Sequence, residues 1–94
     1  MNIPDRIYNG NRAKEVLENE VFIQAFEDIK KEIVTQWEQS PARDSEGREK
    51  LWNLLKLADK LEMNLKTTLE TGKLAMLEIE HKRTLKERLQ DAIG

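Results

Sequence analysis

Residues 51–79 read LWNLLKLADKLEMNLKTTLETGKLAMLEI. Within them Leu51, Leu54, Ala58, Leu61, Leu65, Thr68, Gly72, Ala75 and Ile79 follow one another at alternating spacings of three and four residues. That is the 3.5-residue period of helices packed side by side. Leu55, Leu69 and Met76 flank the stripe. Asp44 stands where an N-cap is needed and Glu46 falls in the first turn, so the helix is expected to begin at residue 45. After residue 79 the pattern changes. Leu77, His81, Leu85, Leu89 and Ile93 stand four apart in an otherwise polar and mostly charged segment, a stripe that rotates around the helix.

Upstream, Phe22, Phe26, Ile29, Ile33 and Trp37 lie on one helical face, with Ala25 beside them. Glu27, Asp28, Lys31, Glu32 and Glu38 fall on the other. Asn19 caps this second helix, and Pro41 ends it near Ser40. The connector 41–44 is short, which makes helices 20–40 and 45–79 antiparallel neighbours. Pro4 biases Ile3 away from helix, and Asn9-Gly10-Asn11 reads as a turn. Residues 1–10 are therefore expected as an extended arm, with a short helix over 11–18 capped by Asn11. The expected fold class is all-α in a single domain over 1–94: a helical hairpin with a short N-terminal helix and a long C-terminal helix over 45–92, which Gly72 could bend.

Lengths carry this reading to assembly. A helix over 45–92 is roughly 70 Å long and helix 20–40 about 30 Å. About a third or more of the apolar seam then lacks a cover, unless the chain bends back at Gly72 or another subunit supplies one. A homo-oligomeric helical bundle is the favoured answer, with Leu77, Leu85, Leu89 and Ile93 as interface candidates.

Composition narrows the chemistry. The chain has 94 residues, 36% of them charged, a net charge of −2 and no cysteine. Thiolate metal sites, disulfides and cysteine nucleophiles are excluded. The acidic balance disfavours duplex nucleic acid as a partner. No run approaches the ~20 apolar residues of a membrane span, and the N-terminus lacks the core of a signal peptide, so a cytoplasmic setting is expected. Ser40 and Ser45 both suit capping roles at a turn. Glu78 and His81 form one Glu-x-x-His pair, whereas a di-iron site repeats that pair on separate helices. A non-enzymatic protein without metal or cofactor is expected.

Asn9-Gly10-Asn11-Arg12-Ala13, Phe22, Trp37, Ser40-Pro41-Ala42-Arg43-Asp44, Arg48-Glu49-Lys50-Leu51-Trp52 and Thr71-Gly72-Lys73-Leu74-Ala75, in this order, resemble small helical proteins encoded by tailed bacteriophages and prophages. The resemblance spans residues 9–76. It implies one of two roles in a bacterial host: a virion or packaging part, or an antagonist of immunity that sequesters a nucleotide messenger.

The residues themselves offer two anion-binding candidates. Asn9–Arg12 as a turn feeding a helix N-terminus, with Tyr8 and Lys14 nearby, could meet a phosphate; a plain turn and cap explains it as well. Arg43, Arg48, Lys50 and Trp52 gather at the interhelical turn near Trp37, where Arg forks suit phosphate and Trp a base. Ion pairing with Asp44, Glu46 and Glu49 is the simpler account. Lys73, beside Gly72, could reach a ligand at a subunit junction. The leading expectation is a protein that holds a small anionic ligand, such as a cyclic nucleotide, between subunits through Tyr8, Arg12, Lys14, Arg43, Arg48, Trp52 and Lys73. The alternative is an assembly or adaptor protein that meets itself, or a phage or host protein, through helix–helix contacts.

Overall fold

The computed structural model describes residues 2–93 and is all-helical over them. Three helices follow in order: α1 (Ile3–Glu18), α2 (Glu20–Gln39) and α3 (Ser45–Ile93). The molecule is a rod of 77 × 25 × 17 Å. The N-terminal arm expected over 1–10 is corrected: helix begins at Ile3. The Asn2 side chain accepts the Asp5 N–H at 2.9 Å and so caps the first turn. Pro4 falls inside that turn, where a missing N–H removes no helical bond. Asn11 accordingly stands in mid-helix and caps nothing, and Gly10 is a helical residue with negative φ.

The role of Gly10 lies on α3. A Cβ added to Gly10 would stand 2.9 Å from Gly72 Cα. One added to Gly72 would stand 2.9 Å from Gly10 Cα and from the Arg6 carbonyl oxygen. The two backbones touch, and any side chain at either position would part them. Gly72 therefore neither breaks nor ends α3. Ala13 and Ala75, at 4% and 0% exposure, complete the contact. These two alanines and two glycines are the buried residues of the described chain. At the start of α1, Arg6 Nη2 reaches Glu78 Oε2 at 3.1 Å.

Asn19 alone separates α1 from α2. Its extended backbone breaks the helix, its N–H still donates to Val16 O, and its side chain accepts the Phe22 N–H at 3.0 Å. At the other end Ser40 is extended before Pro41. Asp44 then caps α3 by accepting the Gly47 N–H at 3.1 Å. Arg48, in the first turn of α3, donates from Nη1 to Trp37 O, Ser40 O and Ser40 Oγ. It thereby caps the C-terminus of α2, whose last carbonyls have no helical partner.

The clamp lies on the face of α3 that meets α2. Leu51, Leu55, Ala58 and Glu62 follow Arg48 at helical spacing and are half-buried, as are Phe26 and Ile33. Lys30 and Asp59 pair across the two helices at 2.9 Å. The expected seam is thus partly rephased: Leu55 turns inward, while Leu54 and Leu61 remain 50% and 49% exposed. The bond with Asp59 raises the Lys30 pKa above its ordinary value, and the bond with Lys30 lowers that of Asp59.

Two predictions follow from this packing. Replacing Gly by Ala inside a helix ordinarily gains about 1 kcal/mol. Gly72→Ala should instead lose roughly 1–3 kcal/mol in urea unfolding, as overpacked contacts do; a gain would mean that α1 does not rest on Gly72. The Lys30–Asp59 pair should favour folding fully between the ordinary carboxylate and lysine ranges. The contribution disappears as pH falls through the lowered Asp59 pKa or rises through the raised Lys30 pKa. Both side chains are partly exposed, so salt screens the pair. Asp59→Asn should lower Tm slightly at neutral pH and low salt, and the difference from wild type should close in concentrated salt.

Candidate functional site

The anion-binding candidates do not converge on one place. Gly10, Asn11 and Arg12 lie within α1, so their N–H groups belong to the helix and form no open N-terminus there. Arg12 lies over the Tyr8 ring at 5.3 Å and pairs with Glu15 at 3.0 Å. Lys14 is exposed. Lys73 pairs with Glu70 at 3.4 Å. It is 21 residues from Trp52 on the same helix, which places the two about 30 Å apart.

At the interhelical turn, sequence reasoning found a real cluster but gave it a different task. The Arg48 guanidinium covers the Trp37 ring at 4.0 Å while it caps α2. Arg43 is exposed, and Lys56 lies over the Trp52 ring at 5.3 Å. Trp37 and Trp52 line an apolar cleft of about 230 Å³ with Ile33, Val34, Leu51 and Leu55. Arg48 Nη1 is engaged by two carbonyl oxygens and the Ser40 hydroxyl, which gives the residue a structural role here.

On the other side of the α2–α3 pair runs a wider groove of about 510 Å³. Phe26, Ile29 and Ile33 form its α2 wall; Leu54, Leu57, Ala58 and Leu61 form most of the α3 wall, ending in Lys60 and Asn64. Ile29 and Leu57 are 54% and 64% exposed. The α3 wall has a simple relation to the core. Leu54, Leu61, Thr68 and Ala75 recur every seven residues and so share one column of the helix surface. α1 lies over this column at Ala75 and beside Thr68; at Leu54 and Leu61, beside the α2 wall of the groove, the column is still 50% and 49% exposed.

No family model, curated protein or solved structure matches the chain.

The remaining feature is the end of α3. Every described residue from 76 to 93 is exposed, including Leu77, Leu85, Leu89 and Ile93. The sequence pointed to these four residues directly. It missed Leu57 as a groove residue, because Leu57 lies off the stripe counted as the core, and it placed Ile29 on the apolar face of the second helix, where Ile29 stays 54% exposed. It also missed Arg6 and Glu78, 72 positions apart, whose pairing requires the first residues to be helical. Among the described residues no helix is long and apolar enough to cross a membrane.

The Arg48 assignment has a direct check. Arg48→Gln should lower stability by roughly 1.5–3 kcal/mol in chemical unfolding, the range for hydrogen bonds from a charged group. A fully stable variant would release Arg48 from its structural role.

Proposed function

We propose that this chain is a non-enzymatic, homo-oligomeric assembly module that works through helix–helix contacts, with the groove walled by Ile29, Leu54, Leu57 and Leu61 and the end of α3 as its contact surfaces. One observation carries the reading: a column of α3 with a seven-residue repeat, buried under α1 at Ala75, continues as leucines that stay half-exposed in an open apolar groove. Burying a Leu contributes about 1.5–3 kcal/mol relative to exposing it. Four groove residues and three at the end of α3 are between 44% and 86% exposed, and a partner helix that covers them gains the corresponding part of that energy. The resemblance to phage-encoded proteins adds a setting to test, the cytoplasm of a bacterial host with phage or host proteins as further partners.

Sequestration of a small anionic ligand has less support in the geometry of one chain. Arg12, Arg48 and Lys73 each have a partner already, and the candidate residues lie in separate regions. The two readings give different measurements. A nucleotide held at 100 times Kd stabilises its protein by about 2.7 kcal/mol and raises Tm accordingly. The assembly reading expects no shift with cyclic nucleotides and a sedimenting mass above 11.0 kDa that rises with protein concentration. A chain that sediments at 11.0 kDa from micromolar to near-millimolar concentration overturns it.

A further inference from the structure

We infer that the C-terminal end of α3 in one copy fills the α2–α3 groove of a second copy, so that the molecules join head to tail. This rests on the assembly reading and names the two surfaces that meet.

Length is the first argument. α3 runs on past the Arg6–Glu78 pair with α1, and residues 80–93 are exposed throughout. Leu85, Leu89 and Ile93 span about 12 Å along that overhang, and Leu54 to Leu61 span about 10 Å along the groove. A three-residue apolar stripe therefore matches the uncovered part of the column.

Charge is the second. Asp28 and Glu32 stand four residues apart on α2, one before and three after the groove residue Ile29. Each accepts a hydrogen bond only from a neutral amide, Asp28 from Gln24 and Glu32 from Gln36, and neither faces a cation among the described residues. Lys82 and Lys86 stand three residues before Leu85 and Leu89, on the same side of that stripe. Neither has an acidic partner among the described residues. An apolar stripe with Lys82 and Lys86 beside it thus fits an apolar groove with Asp28 and Glu32 beside its α2 wall, Lys60 lying on the α3 side.

The position of α1 fixes the direction. An overhang lying antiparallel in the groove would carry the rest of its own α3 along Thr68–Ala75, where α1 sits. Running parallel to the α3 that receives it, the overhang points toward the C-terminal end of α1 and its body leaves past the turn at 40–44. The same obstruction prevents two copies from exchanging overhangs reciprocally. The contact is therefore heterologous, and it repeats from copy to copy unless the rotation closes a ring.

The test is complementation. One variant carries Leu57→Lys with Leu61→Lys in the groove; the other carries Leu85→Lys with Leu89→Lys on the overhang. All four positions are substantially exposed, and circular dichroism should show both variants as helical as wild type. Wild type should grow beyond a dimer as concentration rises. Each variant alone should sediment at the 11.0 kDa chain mass, and an equimolar mixture should give a species of twice that mass and no larger, since one intact groove meets one intact overhang. A charge exchange supplies a second reading: Lys82→Glu with Lys86→Glu should weaken association about tenfold or more, and adding Asp28→Lys with Glu32→Lys should restore most of it. Self-association of wild type without rescue in the mixture overturns the head-to-tail contact and leaves the assembly reading standing. A wild type that stays monomeric overturns both.

Discussion

The approach of two backbones at Gly10 and Gly72 sets the position of nearly everything else. Without a side chain on either residue, α1 and α3 come close enough for Ala13 and Ala75 to lose almost all their solvent contact. Close approach multiplies weak atom–atom attractions along both helices, and that compensates for small side chains with little apolar area. It also fixes where α1 stops covering α3. The last turns of α3, beyond the Arg6–Glu78 pair, are exposed, and the column that is buried at Ala75 is half-exposed again at Leu61.

The end of the rod at the turn obeys a different logic. Here α2 has no buried residue, and its placement depends on polar geometry. A single guanidinium satisfies carbonyl oxygens from Trp37 and Ser40, lies on the Trp37 ring, and belongs to the helix being positioned. An arginine in the first turn of one helix that caps the last turn of another joins them at a defined rotation. The charged surface elsewhere is largely local, with pairs three or four residues apart such as Lys66–Glu62 and Arg12–Glu15, each of modest energetic weight.

These features differ in how far they can be read from sequence. The caps at Asn19 and Asp44, the stop at Pro41, and the long apolar period of α3 are local signals, and each appears where the residues place it. The first helix was legible only over 11–18; its first half was hidden because Pro4 and Asn9-Gly10-Asn11 are breakers on local grounds, whereas the contact with Gly72 that makes Gly10 useful is tertiary. Leu54 and Leu55 illustrate a second limit. Periodicity admits either into the seam; Leu55, seven residues after Arg48, shares the face that meets α2, and Leu54 stays 50% exposed. The clustering of Arg48 with Trp37 and Trp52 was legible, but the use of the arginine was not, because backbone acceptors leave no mark in sequence.

Asn19 has a consequence for how this chain can vary. It is a spacer of one residue between two helices that must each meet α3 in register, α1 through Gly10 and α2 through Phe26 and Ile33. One residue turns a helix by about 100° and advances it about 1.5 Å. A single insertion or deletion at this joint would swing the glycine side of α1 away from Gly72 while leaving every helix intact. Loops normally tolerate changes in length; this joint acts as a phase lock between the two helices.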